Sequence, residues 1–244
     1  MTKVPAPSVT ARRALPLLDL TTLTGEEDEA QIVELCARAQ TPRGPVAAVC
    51  VYPRWVTVCV GELGGTEIRV AAVANFPEGE LDVDRALHDT ELAREDGADE
   101  IDVVLPYKAW RAGDRDGARL LLEQIRAAAP PPLALKVILE ASELDGAEEV
   151  RAAAGDALAL GADFVKTSTG KAASGGATPE AAAAMLDAIA DFGAGGFKAS
   201  GGVRSTADAA AYLALADEKL GPDWATPRTF RLGASSLLED LLAR

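Results

Sequence analysis

The sequence is poor in the residues on which several common chemistries depend. Its 244 residues include one histidine, His88, and three cysteines, Cys36, Cys50 and Cys59, none of them in a Cys-x-x-Cys pair. A single imidazole excludes every His-based triad that needs a second one, and it removes most metal sites. Three unclustered cysteines imply neither a disulfide framework nor a zinc cluster, so no metal is expected.

Positive charge and long apolar runs are also scarce. Lys and Arg total 24 against 38 Asp and Glu, so the formal net charge is −14 and a polyanion would be repelled over most of the surface. No run approaches the roughly 18 uninterrupted apolar residues of a membrane span, and the first ten residues lack the apolar segment of a secretory signal. We therefore expect no nucleic-acid partner, no membrane and a reducing, cytoplasmic location.

Short apolar runs alternate with amphipathic segments throughout the chain. The predicted strands are Leu15–Leu20, Val46–Val51, Ile68–Val73, Glu100–Leu105, Leu133–Leu139, Asp163–Thr167, Gly196–Ala199 and Thr229–Leu232. The predicted helices are Glu26–Gln40, Pro53–Leu63, Asp82–Asp96, Asp116–Ala128, Gly146–Leu160, Pro179–Phe192, Thr206–Lys219 and Ser235–Leu242.

This alternation predicts an α/β fold, a single (β/α)8 TIM barrel that occupies residues 1–244 as one domain. An open, doubly wound sheet is the alternative, but it usually has about five or six strands and a Gly-rich first turn. The segment Asp19–Thr24, where that turn would fall, contains no glycine. We also expect Ser8–Ala14 to form an extra helix that covers the amino-terminal mouth of the barrel.

Polar residues interrupt the apolar runs at or near their carboxyl ends, where barrels of this type place catalytic groups. Asp19 and Thr21 close the first strand. Asp19 is also the first of a series of eight residues, one for each predicted strand, that lie 25 to 35 residues apart, about the length of one βα unit. In chain order the series is Asp19, Cys50, Asn75, Asp102, Lys136, Lys166, Lys198 and Gly233.

Three members of this series, Lys136, Lys166 and Lys198, are lysines inside apolar strands. A buried ammonium is costly unless it is paired, neutralised or used chemically, so one interpretation is an ion pair with Asp102, Asp19 or Glu140. The other interpretation is catalytic. Lys166 and Lys198 lie on adjacent strands, where repulsion between like charges and desolvation lower the lysine pKa, so that one amine is neutral at about pH 7. A neutral amine attacks carbonyl carbons, which predicts Schiff-base chemistry with Asp102 moving protons directly or through a water.

The last three strands are followed by segments rich in small residues and hydrogen-bond donors. These segments are Thr167–Lys171, Ser200–Ser205 and Gly233–Ser236. Glycines let backbone N–H groups approach an anion, and a helix that begins at Ser235 would add its dipole. With Lys171 and Arg204 close by in sequence, these loops predict a phosphate site, in the position where such barrels commonly hold one.

Eight segments, in order, carry a further pattern. They are Leu18–Leu23, Val49–Arg54, Asn75–Pro77, Gly97–Val104, Leu135–Glu140, Gly161–Gly170, Gly196–Arg204 and Arg231–Ser236. Together they resemble the deoxyribose-phosphate aldolase family from about residue 11 to the end, and the two lysine segments that begin at Gly161 and Gly196 are the most specific. The resemblance implies a cofactor-free class I aldolase that reversibly cleaves 2-deoxy-D-ribose 5-phosphate to acetaldehyde and D-glyceraldehyde 3-phosphate.

The resemblance also implies roles for individual residues. Lys166 would form the Schiff base, Lys198 would lower its pKa, and Asp102 would relay protons through a water. The remaining residues, all expected to bind substrate and from Gly170 onward to surround its phosphate, are Asp19, Thr21, Cys50, Asn75, Lys136, Thr169, Gly170, Lys171, Gly201, Gly202, Val203, Arg204, Gly233, Ser235 and Ser236.

The chain departs from part of this family at its carboxyl end. Some relatives carry a terminal tyrosine proposed to assist proton transfer, whereas this sequence ends in Leu242-Ala243-Arg244 and its last tyrosine is Tyr212. We assign no tail tyrosine.

Three other functions are alternatives to the aldolase that the resemblance implies. They are an aldolase for another sugar phosphate, a pyridoxal-phosphate barrel, and a sugar-phosphate-binding barrel without turnover. Exposed outer helices are compatible with a homodimer.

Overall fold

The computed structural model describes residues 6–244, and its central feature is a closed barrel of eight parallel strands. Each strand pairs with its neighbour in sequence, and the last pairs with the first through Leu18 opposite Leu232. The strands β1 to β8 are Leu18–Thr21, Ala48–Val51, Arg69–Ala74, Glu100–Val104, Ala134–Ile138, Phe164–Lys166, Gly196–Ser200 and Phe230–Ala234. The predicted (β/α)8 fold is confirmed, with every predicted strand present.

Helices surround this barrel. Helices α1 to α10 are Pro7–Ala14, Glu29–Ala39, Val56–Leu63, Val83–Glu95, Tyr107–Arg111, Arg115–Ala128, Ala147–Ala159, Pro179–Phe192, Thr206–Leu220 and Leu237–Leu242. Short 3-10 turns occupy Leu15–Leu17, Pro53–Trp55 and Ala141–Glu143. Within residues 6–244, no helix combines the length and the apolar character needed to cross a membrane.

Besides these turns, two small elements were not predicted. Helix α5 has five residues that follow Pro106, and it buries Tyr107 and Trp110. A hairpin pairs Gln40–Thr41 with Gly44–Pro45. Neither is long enough to show a helical or alternating apolar period, and this explains why the sequence pattern did not reveal them.

Local capping signals fix several helix starts. Thr178 caps α8 by accepting from the Ala181 N–H, and Pro179 occupies the first helical position. The prediction that a helix starts at Glu26 was wrong by three residues. Asp28 accepts from the Gln31 N–H and so begins α2 at Glu29.

The predicted amino-terminal helix α1 is present. It packs against α9 and α10, and Arg13 donates to Asp217 of α9 at 2.6 Å. The cavity at the amino-terminal mouth is lined by other elements, among them the strand residues Glu100 and Arg231. Helix α1 thus packs against the outer helices, and none of its residues lines that cavity.

The strands bury both faces. Their outward side chains meet amphipathic helices such as α6, which buries Ala118, Leu121, Leu122 and Ile125 at helical spacing. Strand residues two positions apart point to the same side, so Glu100 and Asp102 of β4 both face the barrel interior. That interior is largely ionic rather than apolar, and it forms the base of the candidate site.

Candidate active site

Seven buried ionisable side chains form one hydrogen-bonded cluster along the inside of the barrel, here called the ionic column. None is more than 4% exposed. Its members are Asp19 of β1, Glu100 and Asp102 of β4, Lys136 of β5, Lys166 of β6, Lys198 of β7 and Arg231 of β8. Because they come from six strands, the complete barrel is needed to assemble the cluster.

Asp102 is the centre of the ionic column. Its Oδ1 accepts from Lys136 Nζ at 2.6 Å, and its Oδ2 accepts from both Lys166 Nζ and Lys198 Nζ at 2.8 Å. Burial alone would raise the pKa of Asp102, but the three lysines hold it well below its usual range. The carboxylate is therefore ionised, and it joins all three lysines that the sequence singled out.

The lower half of the ionic column is built around Arg231. Its guanidinium donates to Asp19 Oδ1 at 2.6 Å and to both Glu100 oxygens at 2.7 and 3.1 Å. Asp19 also accepts from Lys198, and Lys136 Nζ lies 2.6 Å from Glu100 Oε2. Neither Arg231 nor Glu100 was predicted as a site residue, although both stand in the segments that carry the family resemblance.

The position of these residues along their strands differs from the prediction. The sequence placed the polar residues at or near the carboxyl ends of the strands, but Asp19 is the second residue of its strand and Asp102 and Lys136 are central in theirs. Lys166 is the last residue of β6. Chain spacing identified one polar position per strand, whereas the depth of each position depends on where the strand begins.

The three lysines experience different electrostatic environments. Burial lowers the pKa of each, but Asp102 and Glu100 raise that of Lys136, and Asp102 and Asp19 raise that of Lys198, above the ordinary value. Lys166 has Asp102 as its one close carboxylate and Lys198 as a cationic neighbour, so burial and like charge together keep its pKa below the ordinary value. Lys166 is thus the lysine of the ionic column best suited to be a neutral amine.

A cavity of about 270 Å³ opens at the carboxyl ends of the strands. Eleven predicted substrate-binding residues line it, namely Thr21, Thr169, Gly170, Lys171, Gly201, Gly202, Val203, Arg204, Gly233, Ser235 and Ser236. Thr22, Leu23, Thr24, Ser200 and Ala234 also line it and were not predicted, although each lies within three positions of a predicted residue. The three donor-rich loops therefore meet around one space.

Gly233 connects the cavity to the ionic column. It lines the cavity, and a Cβ placed on it would lie 3.0 Å from Lys198 Cε and 2.8 Å from Ser200 Oγ. Only a residue without a side chain lets β8 pass so close to the lysine. Lys198, which donates to the same Asp102 oxygen as Lys166, thus lies directly beneath the floor of the cavity.

Close backbone packing shapes the cavity wall. A Cβ on Gly201, whose φ is +85°, would approach Gly176 Cα to 2.9 Å, and the Ala177 N–H donates to Gly201 O at 2.9 Å. These contacts join the loop after β6 to the loop after β7. Gly176 was not predicted, and the Gly175-Gly176 pair was its only signal in the sequence.

Glu140 anchors the same wall from beneath. Its Oε2 accepts from the Thr169 N–H at 3.1 Å and from the Thr169 hydroxyl, and burial raises its pKa above the ordinary value. From its sequence position Glu140 was expected only as an ion-pair partner of a buried lysine, and its hydrogen bonds go to Thr169 instead. Its position directly after an apolar strand was the available signal.

Glu27 organises the loop on the opposite wall. It accepts from the Gly25 N–H at 3.1 Å and from the Thr24 N–H, so it folds back beneath the Thr22–Thr24 segment. Together with the Asp28 cap, this contact keeps Glu27 ahead of α2.

Four predicted binding residues do not line the cavity. Asp19 and Lys136 belong to the buried ionic column, and Cys50 Sγ lies 3.9 Å from Asp102 Oδ2. Asn75 is buried, and its Nδ2 donates to Glu80 O at 2.9 Å and Val104 O at 3.1 Å. Asn75 thus holds the loop after β3.

The predicted phosphate loop after β8 also differs in detail. Helix α10 starts at Leu237 with Ser236 as its N-cap, two residues later than predicted. Ser235 and Ser236 both border the cavity, and the Ser236 side chain forms no cap hydrogen bond.

Among the described residues, no group of three or more His, Cys, Asp or Glu side chains is placed to hold a metal ion.

Comparisons with known proteins agree with this architecture. A family model described as DeoC/LacD family aldolase matches residues 13–242. A structure from Coccidioides immitis, provisionally named deoxyribose-phosphate aldolase, is 32% identical, with 98% of this chain and 87% of that chain covered and a TM-score of 0.82. A protein from Toxoplasma gondii ME49 with the same provisional name is 27% identical, with coverages of 97% and 93% and a TM-score of 0.86.

A deoxyribose phosphate aldolase from Aeropyrum pernix, described as a tetramer, shares 25% identity, with 98% of this chain and 92% of that chain covered and a TM-score of 0.77. The family model spans nearly all of the chain, and the similar structures share its barrel from end to end. This chain is therefore a member of the DeoC/LacD aldolase family.

Proposed function

We propose that the protein is a class I aldolase that reversibly cleaves 2-deoxy-D-ribose 5-phosphate to acetaldehyde and D-glyceraldehyde 3-phosphate. The observation that carries the proposal is Lys166, a buried lysine with a lowered pKa beneath a cavity walled by anion-binding loops. The first feature supplies a nucleophile for an aldehyde, and the second supplies donors for a phosphate.

The reaction begins when Lys166 Nζ adds to the aldehyde carbon, C1, of the open-chain sugar. Loss of water gives a protonated imine, which withdraws electrons from the adjacent C2–C3 bond. That bond breaks as the proton leaves the C3 hydroxyl, so D-glyceraldehyde 3-phosphate departs and an enamine remains on Lys166. Protonation at C2 and addition of water then release acetaldehyde and restore the amine.

Asp102 and Lys198 assist this sequence in different ways. The low pKa of Asp102 keeps it ionised, the form that accepts a proton from a water beside the C3 hydroxyl and passes it on. Lys198 bears the persistent positive charge that lowers the pKa of Lys166. Lys136 completes the set of donors to Asp102, at 2.6 Å.

The phosphate end of the substrate binds in the cavity. The loops after β6 and β7 bring Gly170, Gly201 and Gly202 to its wall, the loop after β8 brings Ser235 and Ser236, and Lys171 and Arg204 supply positive charge. Such donors bind a dianion strongly because charged hydrogen bonds are about twice as strong as neutral ones. The chain's net charge of −14 opposes this binding on average, so the local concentration of donors has to provide it.

The decisive test is chemical trapping. The protein is incubated with acetaldehyde, reduced with borohydride, digested and mapped by mass spectrometry, and the expected adduct is on Lys166. Lys171 is the internal control for non-specific modification, because it is exposed at the cavity. Modification confined to other lysines, or none, would overturn the proposal.

A second test concerns the identity of the substrate. Cleavage of 2-deoxy-D-ribose 5-phosphate is expected at a higher kcat/KM than cleavage of other sugar phosphates. A reversed preference would keep the Schiff-base assignment and reject the substrate. Visible absorbance from bound pyridoxal phosphate in the active protein would contradict a cofactor-free reaction.

The role of Lys198 has its own readout. Lys198→Leu is expected to move the pH dependence of adduct formation on Lys166 to higher pH, since a neighbouring positive charge is lost. An unchanged profile would remove Lys198 from the tuning of that pKa.

The homodimer and the cytoplasmic location stay predictions, which light scattering and cell fractionation can check.

A further inference from the structure

The ionic column balances its charges only when one of its lysines is neutral. Apart from Lys166, it contains three cations and three carboxylates. The cations are Lys136, Lys198 and Arg231, and the carboxylates are Asp19, Glu100 and Asp102. A charged Lys166 would add a net positive charge to a region with no exposed wall, where an uncompensated charge is expensive.

Arg231 differs from the other two cations. A guanidinium stays protonated at every physiological pH, whereas a buried lysine can lose its proton. Arg231 is also rigidly held, since it donates to Asp19, Glu100 and the Pro227 carbonyl and lies over the Phe164 ring at 5.6 Å. It is therefore a fixed positive charge.

The register of the sheet places this charge within electrostatic reach of Lys166. Arg231 pairs with Lys198, and Lys198 pairs with Lys166, so the two backbones are two strand spacings apart, about 10 Å. Two unit charges about 10 Å apart at an effective dielectric constant of about 20 interact enough to move a pKa by about one unit.

We propose that Arg231 is a positioning residue which, by neutralising Asp19 and Glu100, prevents these carboxylates from stabilising a charged Lys166 and so leaves that amine free to attack. It acts through the ionic column, and it does not border the substrate cavity. The inference rests on the proposed role of Lys166 as the Schiff-base nucleophile.

Other groups face Lys166 and are kept constant in the test. They are Cys50 of β2, Asp102 of β4, Glu140 after β5 and Lys198 of β7, and Lys136 of β5 shares Asp102 with Lys166. Because the substitutions below leave all of these in place, a change in the pH profile reports the charges at Arg231 and Glu100.

The experiment compares Arg231→Met, Arg231→Lys, Glu100→Gln and the double variant Arg231→Met/Glu100→Gln with the wild type. Each protein receives a short pulse of acetaldehyde at a series of pH values and is then reduced with borohydride at one fixed pH. The yield of adduct on Lys166 is measured by mass spectrometry against that on Lys171.

The expected midpoint of the profile rises by about one pH unit in Arg231→Met and stays near the wild-type value in Arg231→Lys. It falls in Glu100→Gln, and it returns toward the wild-type value in the double variant. Opposite shifts that cancel are the signature of charge balance, because a purely structural role would reduce the yield without moving the midpoint.

Midpoints that coincide in all variants would overturn the inference while leaving Lys166 as the nucleophile. If Arg231→Met does not fold, Glu100→Gln still decides, because a midpoint that is unmoved or raised contradicts the charge balance. Absence of a Lys166 adduct in the wild type at every pH would instead reject the proposed function itself.

Discussion

The two open ends of the barrel hold cavities of equal volume and different chemistry. Each measures about 270 Å³. At the carboxyl end, the wall consists of glycine loops, hydroxyl residues and two basic side chains. At the amino end, two of the three arginines in the wall are already bound to carboxylates, Arg69 to Asp99 at 2.9 Å and Arg231 to Glu100 at 2.7 Å.

The difference shows that the size of a cavity does not determine its function. Donors bind a ligand when they are not already committed to partners within the protein, and only the carboxyl end combines such loops with the amine of Lys166 beneath them. The connections at that end are long, such as residues 167–178 between β6 and α8, so they can form a wall. In these barrels the carboxyl end serves chemistry and the amino end serves stability.

The largest expected effect separates the ionic column from the cavity wall. Lys166→Met should abolish adduct formation and reduce kcat by about a millionfold, as removal of a covalent nucleophile does elsewhere. Lys171→Met, the matched control at the wall, should still form the acetaldehyde adduct. Steady-state kinetics and trapping measure both, and comparable losses of trapping in the two variants would contradict the distinction.

The next effect tests the packing of the wall. Gly201→Ala puts a Cβ 2.9 Å from Gly176 Cα, whereas a Cβ on Gly202, with the same φ of +85°, meets nothing within 4 Å among the described residues. Both substitutions carry a left-handed backbone penalty of about 1–2 kcal/mol. Gly201→Ala should lose about 1–3 kcal/mol more to overpacking. Equal free energies of unfolding by denaturant would show that the loops do not pack as described.

The third effect compares the two ends directly. Arg204→Gln should raise KM for the sugar phosphate about tenfold, since a hydrogen bond to a charged group contributes about 1.5–3 kcal/mol. Arg228→Gln, in the equal cavity at the amino end, should leave KM within about twofold of the wild type. A non-phosphorylated 2-deoxyribose is the substrate control, because its KM should not respond to Arg204. A larger change in KM from Arg228→Gln than from Arg204→Gln would place the substrate at the amino end of the barrel and contradict the assignment of the phosphate site.

The smallest effect sharpens the role of Glu140 beneath the wall. Burial raises its pKa above the ordinary 4.5, so ionised Glu140 costs stability in the folded state. This cost is absent below pH 4.5 and grows as the pH rises through the folded-state pKa. The stability gain of Glu140→Gln over the wild type should therefore be absent in acid and present at neutral pH. Melting temperatures across this range check the sign, and a gain confined to acid would be inconsistent with it.

Much of the fold could be read from the sequence because the barrel repeats one unit. Each unit supplies an apolar run and an amphipathic segment, so all eight strands were located, with ends shifted by a few residues. Helix α5 and the hairpin at residue 40 were missed since they are too short to be periodic. Capping chemistry moved the start of α2 to Glu29, a detail that a charge pattern alone does not give.

The candidate site was predictable to a different degree in its two parts. Most residues of the cavity wall were predicted, because the small, donor-rich residues of each loop are contiguous in the chain, as at Gly201–Arg204. Asn75 was assigned to the pocket, yet its amide is occupied by two backbone carbonyls. Arg231 and Glu100 were overlooked as site residues because their partnership spans 131 positions.

The sequence by itself identified most, but not all, of the residues that form the ionic column. Strand periodicity and one polar position per unit were enough to select Asp102, Lys136, Lys166 and Lys198, since these properties are local. Only the tertiary structure decided how charge is distributed among them. Barrel closure brings Asp19 of the first strand to Lys198 of the seventh and Arg231 of the eighth, and the pKa of each lysine depends on how many carboxylates it meets. Pairing in three dimensions, rather than position along the chain, makes Lys166 the amine that can act.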